Sequence, residues 1–401
     1  MKNNFKSVGI IAEYNPFHNG HKFHLDQSLK NSEADVCIAV ISGNFMQRGE
    51  IAILDKWTRA EMAVKNGVNL VVEMPTIFAC NNAGYFAKNG VEILESLGVS
   101  VISFGSELGN IAEISHIARA MSENEEFIEK SIKEAVKVGL AYPKARHQVI
   151  SKIVGETAAA HLDNPNNILA FEYIKHIKKA EAMTISRHGG GYHDTNSKIP
   201  LASATAIRNA LKECKNISHA VPRITREIIR REQKNLSNQE MLFDLIRSKI
   251  LTTEVEELNN VFGAEEGLGN AMKNGVRYWQ SYEDVMEDLK SKRYTRTRIA
   301  RVLAHTLLGI TRQDVKYAQN YIRVLAFDEK GSAYLKQAKK SAFGSLPVIT
   351  NINKDAAAYP QIQQTLKKDI LAADIYNLAS GRDLYTKSEF VCKPIKIETC
   401  P

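Results

Sequence analysis

Five short apolar runs punctuate the first half of the chain: Val8 to Ala12, Asp35 to Ile41, Asn69 to Glu73, Val99 to Phe104 and Ala182 to Ser186. Most are β-branched and continuous rather than alternating, as expected of strands covered on both faces in a parallel sheet. Helical periods lie between them, at Gly20 to Lys30, Lys56 to Asn66, Asn82 to Leu97, Ile111 to Met121, Glu125 to Lys137, Ala145 to His161 and Asn166 to Lys179. Strands joined by crossover helices give a doubly wound α/β domain, whose ligands bind at the carboxyl ends of the strands. Beyond Val221-Pro222 strand-like runs become scarce. The chain then reads mainly as helices, at Arg223 to Lys234, Asn238 to Leu251, Gly267 to Lys273, Tyr282 to Lys290, Arg296 to Leu308 and Gln361 to Asn377. The expected division is an α/β domain over residues 1–215 and a mainly helical domain over residues 216–401.

The first run leads into Glu13-Tyr14-Asn15-Pro16-Phe17-His18-Asn19-Gly20-His21. A helix start presents unpaired N–H groups and the positive end of its dipole, which favour an anion. Gly20 permits close approach of a phosphate or base, and the imidazoles of His18 and His21 can donate hydrogen bonds to charge developing on a triphosphate. The chemistry expected is attack on an α-phosphorus with pyrophosphate leaving. Gly43, Gly105 and Arg187 follow other strands and should converge on the same crevice. Ser42 to Glu50 reads either as a lid or substrate-facing loop, or as a glycine-shaped surface loop with a solvated Arg48. Lys56 and Arg59, at a helix start, either meet phosphates or are solvated. Gly105 either lets the backbone lie against an adenine or ribose or makes a tight turn. One asparagine of Asn164 to Asn167 should cap the helix that follows, with Asn166 placed to bond a nucleotide as well. Arg187 pairs with a phosphate or carboxylate, or forms a surface salt bridge. Ser203 can cap a helix carrying Thr205 and Arg208.

A net charge of +8 and a pI near 9.0 favour a polyanionic partner. Arg293, Arg296, Arg298 and Arg301 form one basic group of the second half, and Arg230 belongs to another between Arg223 and Lys234. Such groups are either solvated helix faces or, attached to a nucleotide site, an RNA phosphate track. No window approaches the roughly 18 unbroken apolar residues of a membrane span, and the N-terminus lacks a signal-peptide apolar region, so a cytoplasmic protein with no membrane partner is expected. The five cysteines are scattered, without CxxC or Cys/His ligand spacing, and His188, His193 and Asp194 are too loosely spaced for a metal site; no protein-held metal is expected.

Together, Glu13 to His21, Ser42-Gly43-Asn44-Phe45 with Arg48-Gly49-Glu50, Phe104-Gly105-Ser106-Glu107, Pro165-Asn166-Asn167-Ile168-Leu169 and Ala204-Thr205-Ala206-Ile207-Arg208 make the chain resemble the HIGH-motif nucleotidyltransferase superfamily, and within it the bacterial tRNA(Met) cytidine acetate ligase family. The resemblance implies a Rossmann-like ATP domain with a helical extension that serves tRNA. It implies that acetate is activated as acetyl-adenylate and transferred to N4 of the wobble cytidine of elongator tRNA(Met), with Mg²⁺ carried by the phosphates. By matching position, Ile11, Ala12, Glu13, Tyr14, Asn15, Pro16, Phe17, His18, Asn19, Gly20, His21, Lys22, Phe23 and His24 would cradle ATP, and Gly105, Asn166 and Arg187 would complete the site, with His18 and His21 catalytic. The stretch Cys80-Asn81-Asn82-Ala83-Gly84 matches no signature of the family. Two rival readings remain: an adenylyltransferase joining ATP to a phosphorylated small molecule, and a tRNA-binding protein with an idle nucleotide fold.

Overall fold

The computed structural model describes residues 5–187, 203–291, 294–340 and 346–398. Five parallel strands, β1 (Ser7–Ala12), β2 (Val36–Ser42), β3 (Leu70–Met74), β4 (Val101–Ser106) and β5 (Glu181–Ser186), stand in the order β5-β4-β1-β2-β3. The expected runs are therefore strands, each displaced by no more than two residues. β2 and β3 are buried along their whole length, which accounts for their unbroken apolar sequence. Ser7 to Ala12 pair with Val36 to Ile41, and Val101 to Ser106 pair with Glu181 to Ser186. The chain direction away from β1 reverses between β1 and β4, the place where such sheets open a crevice at the carboxyl ends of their strands.

The sequence reading missed three strands. β6 (Ile322–Phe327) pairs antiparallel with β3, while β7 (Val348–Ile349) and β8 (Ile395–Lys396) both run parallel to β6 on its far edge. The sheet thus draws on both segments of the expected division. Its two faces are covered by one large apolar cluster, including Val40, Val72, Ile93 and Phe171, and a second including Ile10, Leu25, Ala63 and Leu325. A third cluster, around Leu242, Ile246, Met272, Trp279, Ile299 and Leu303, is the core of a helical bundle built from the predicted helices Gln239–Thr252, Leu268–Gly275, Tyr282–Leu289 and Arg296–Leu308.

Arg323 breaks the apolar pattern of β6 yet is almost fully buried, as is Lys56 at the start of helix α2 (Lys56–Lys65), which follows helix α1 (Asn19–Ser32) in the chain. Lys56 Nζ lies 2.7 Å from Glu73 Oε2 and 3.1 Å from Glu389 Oε1, and Arg323 Nη2 lies 3.5 Å from Glu389 Oε2. Trp57 donates its indole N–H to Glu389 at 3.2 Å, and its ring lies under the Arg323 guanidinium, 5.1 Å from the ring centre. Burial opposes the Lys56 charge, but Glu389 and Glu73 outweigh it and raise the Lys56 pKa. Lys56 therefore meets neither phosphate nor solvent, correcting both sequence readings of it. Removing Glu389 would take from both buried cations a carboxylate that each now contacts, leaving Glu73 within ion-pair distance of Lys56 and, among the described residues, none within that distance of Arg323. Glu389→Ala should lower stability by about 3–5 kcal/mol, read as a fall in the urea unfolding midpoint; an unchanged midpoint would mean that the C-terminal segment does not hold this cluster together.

Candidate active site

The turn between β1 and α1 occupies the crevice between β1 and β4. His18 is the N-cap of α1, with extended backbone (φ −133°, ψ 175°), and its Nδ1 accepts the Gly20 N–H at 3.0 Å. His21 returns the contact: its Nδ1 accepts the His18 N–H at 3.3 Å. Two imidazoles thus satisfy orphan amides of the first turn, a capping box made with nitrogen acceptors. The rings stack with centroids 3.7 Å apart and planes 23° apart. Because each Nδ1 is an acceptor, each neutral ring carries its proton on Nε2, a tautomer assigned from the hydrogen-bond partners.

Burial first, then the nearby Arg187, lowers the His18 pKa to about 4. Burial, then His18, Arg187 and His24, pushes that of His21 well below the usual value. Burial and Arg187 bring His24 to about 4. At neutral pH all three rings are uncharged hydrogen-bond donors. For His24 the direction follows from its partners: Ser28 Oγ donates to the His24 carbonyl at 2.7 Å, so Ser103 Oγ donates to Ser28 at 2.7 Å and accepts from His24 Nε2 at 3.2 Å.

Opposite this turn, Arg187 Nη1 donates to Asn166 Oδ1 at 3.0 Å, and Asn166 Nδ2 donates to Glu107 Oε1. The Arg187 side chain lies over Gly105, where a Cβ would come within 3.3 Å of its Cγ and Cδ. The expected asparagine cap is corrected. Asn164 holds the N-cap position of helix Pro165–His176 without a side-chain bond, while Glu107 Oε2 accepts the Asn167 N–H at 2.9 Å. Asn167 instead accepts the Glu107 and Leu108 amides at 2.9 and 3.0 Å. Gly105, Asn166 and Arg187 therefore form one cluster with Glu107, a residue for which the sequence suggested no role.

The turn is braced from beneath. Tyr14 adopts a left-handed conformation (φ 48°), and its ring lies 4.9 Å from those of Phe17 and His21. Arg59, fully buried, donates to the carbonyls of Glu13 (2.6 Å), Leu54 (2.9 Å), Ser42 (3.0 Å) and Gly43. It joins the ends of β1 and β2, so the phosphate and solvent readings of Arg59 are both corrected. Asn15 Oδ1 accepts the Ile53 amide at 2.8 Å, Glu13 Oε1 accepts the Gln47 amide at 2.7 Å, and Arg208 donates to the Asn15 carbonyl at 3.1 Å. Burial, only partly offset by these partners, raises the Glu13 pKa. The loop Ser42 to Glu50 is packed rather than lid-like, with Phe45 and Met46 buried and Arg48 exposed. Ser203 caps its helix as expected, accepting the Ala206 N–H at 3.2 Å.

Of the remaining expected residues, Ile11 and Ala12 end β1, Pro16 and Phe17 are buried, and Asn19 ties the helix start to the His219 carbonyl at 2.9 Å. Lys22 turns away to bond Asp26 at 2.6 Å, and Phe23 is exposed. In the helical half, Arg293 lies outside the described residues, as do His188, His193 and Asp194. Arg296 forms a two-pronged pair with Glu283. Arg298 lies 4.6 Å from the Tyr294 ring centre and bonds Glu265 at 3.3 Å. Arg230 is exposed, whereas Arg301 is half-buried and donates to the Asn81 carbonyl at 3.3 Å, which removes it from a surface track. Among the described residues no three His, Cys, Asp or Glu side chains group as a metal site, and no helix is long and apolar enough to cross a membrane.

The lowered histidine pKa values carry a sign for stability. Below about pH 6.5 the unfolded chain takes up protons that folded His18 and His24 refuse until about pH 4, so stability falls as the pH drops through that window. His18→Asn keeps an oxygen to accept the Gly20 amide but cannot titrate. It should lie within about 1 kcal/mol of the wild type at pH 7 and lose less stability than the wild type between pH 6.5 and 4.5, as measured by urea unfolding at the two pH values.

A family model described as HIGH Nucleotidyl Transferase matches residues 5–389. The tRNA(Met) cytidine acetate ligase of Thermoanaerobacter sp. (strain X514) is 38% identical over 407 residues, covering 97% of this chain and 99% of that protein. The ligase of Lysinibacillus sphaericus (strain C3-41) is 36% identical over 398 residues, with 96% and 97% covered. Crystal structures of Thermotoga maritima TmcAL, one apo and one bound with alpha-thio ATP, each superpose with a TM-score of 0.88 at 31% identity, covering 98% of this chain and 100% of theirs. A crevice of neutral histidines at a helix start, in a chain matched from end to end by these proteins, leads to one assignment: the chain belongs to the tRNA(Met) cytidine acetate ligase family of HIGH nucleotidyl transferases.

Proposed function

We propose that this protein uses ATP to activate acetate as acetyl-adenylate and then acetylates N4 of the wobble cytidine of elongator tRNA(Met). The observation that carries the reading is the stacked His18–His21 pair, whose Nδ1 atoms are committed to backbone amides and whose Nε2–H groups are left as neutral donors at a helix start. ATP is proposed to lie with its triphosphate over the first turn of α1 and its nucleoside toward Gly105, Asn166 and Arg187. An acetate oxygen attacks the α-phosphorus, the bond to the bridging oxygen breaks, and pyrophosphate leaves. The two Nε2–H donors stabilise charge gathering on the α-phosphate and the leaving group, a task of positioning and electrostatics. In the second step the cytidine amine attacks the acetyl carbonyl, the carbonyl-to-phosphate oxygen bond breaks, the amine loses a proton, and AMP leaves.

The donor set in the crevice, imidazoles, an amide and a guanidinium, fits phosphate oxygens rather than a bare divalent cation. Mg²⁺ is accordingly proposed to enter with the nucleotide, held by its phosphates, where it would neutralise charge. Arg230, Arg296 and Arg298 are proposed to meet tRNA phosphates, the last two after exchanging their present carboxylate partners for RNA.

Incubation with ATP, acetate and tRNA, followed by nucleoside mass spectrometry, should show one acetyl group gained on cytidine. A dinucleotide formed from ATP and a phosphorylated metabolite without tRNA would overturn the reading. In acetate-dependent exchange of labelled pyrophosphate into ATP, His18→Asn should lower the rate about 10²–10³-fold, the usual cost of losing one charge-stabilising donor. A variant that exchanges at the wild-type rate would remove His18 from the chemistry.

A further inference from the structure

The turn at Cys80-Asn81-Asn82, which no nucleotide-binding role absorbs, is where three segments meet. The Asn81 carbonyl accepts from Gln47 Nε2 at 2.9 Å and from Arg301 Nη1 at 3.3 Å. The neighbouring Cys80 carbonyl lies 2.7 Å from His305 Nε2. Asn81 is buried, and its side chain fixes the turn itself: Nδ2 donates to the Ile77 carbonyl at 3.1 Å, and Oδ1 accepts the Asn82 amide at 2.8 Å. Arg301 and His305 are four residues apart and so share one face of helix Arg296–Leu308.

Gln47 belongs to the loop that braces the crevice through Glu13 and Asn15. The other side of this loop rests on the same helix. Gly49 has φ +87°, and a Cβ there would lie 2.3 Å from the Ala300 carbonyl carbon, so backbone meets backbone. One loop thus touches the nucleotide turn and the helix whose first turn carries Arg296 and Arg298.

We propose that Gln47 and Arg301 are positioning residues for the acetyl-transfer step: by sharing the Asn81 carbonyl they set the register of the RNA-facing helix over the crevice, and adenylate formation does not need them. The inference rests on the ligase reading above. ATP and acetate react inside walls that these two side chains do not bond, because Gln47 reaches Glu13 only through its main-chain amide. The cytidine arrives on a polymer held outside, so a tilt of the helical half is carried to the reacting amine.

The test uses the full chain with Gln47→Ala, Arg301→Met and Arg301→Lys, assayed for acetate-dependent pyrophosphate exchange without tRNA and for acetyl transfer to tRNA. Exchange should stay within about threefold of the wild type in all three. Transfer kcat/KM should fall about tenfold or more in Gln47→Ala and Arg301→Met, since misplacement of the reactants by an ångström is that costly. Arg301→Lys should recover part of the loss, because an ammonium still donates to a carbonyl. Parallel loss of both activities, or transfer within about threefold of the wild type, overturns the proposal. Should Arg301→Met fail to fold, Gln47→Ala decides alone. A wild-type chain with no acetate-dependent exchange overturns the ligase reading itself, an outcome distinct from any effect confined to the variants.

Discussion

The reciprocal bond between two histidines and the first turn of α1 governs this structure. A helix start must satisfy its orphan amides, a task usually given to a serine, threonine, aspartate or asparagine oxygen. Here imidazole nitrogens accept those protons, and the consequence is chemical: with Nδ1 committed, the remaining proton of each ring is fixed on Nε2. Burial first, and then the nearby Arg187, penalise protonation, so the pair offers neutral hydrogen-bond donors that need no counter-ion. The two side chains that cap the helix are thus the ones proposed to act, Nδ1 serving the cap and Nε2–H left for the chemistry.

Holding that turn takes a second constraint, the burial of Arg59. Its guanidinium ends on four main-chain carbonyls, two of them at the end of β2 and one on Glu13. Carbonyls at strand ends have no ladder partner, and a buried fork of N–H donors satisfies several at once. The outer loops are then arranged around it, with Asn15 and Glu13 accepting amides from the Ser42 to Ile53 segment.

Much of this could be read in the sequence because parallel strands covered on both faces are short and continuously apolar, and because His18-Asn19-Gly20-His21 stands where a helix must begin. Gly105, Asn166 and Arg187 were legible as neighbours because each stands at one end of the sheet, Asn166 in the first turn of a helix and Arg187 just past β5. Gly105, expected beyond its strand and in one reading in a tight turn, is instead the last residue but one of β4, paired with Ile185. Arg59 and Lys56 were not legible, since a cation at a helix start carries no local mark of burial; its partners are carbonyls or acids from distant segments. β6 was missed because Arg323 interrupts its apolar run, and only Trp57 and Glu389 explain why a cation is tolerated there. The cap of helix Pro165–His176 was misjudged because its acceptor, Glu107, comes from another loop.

The antiparallel strand at the edge of β3 also bears on how the molecule is made. Asn69, just ahead of β3, bonds Asp328, just past β6, across a separation of 259 residues, and Gly331 lies so close to the Asn69 carbonyl that a Cβ would sit 1.9 Å from its oxygen. While the ribosome is still translating the helical bundle, β3 is an unfinished border with open backbone groups. That edge of β3 gains its partner only from the last fifth of the polypeptide, and until then it is an open strand margin of the kind folded proteins cover.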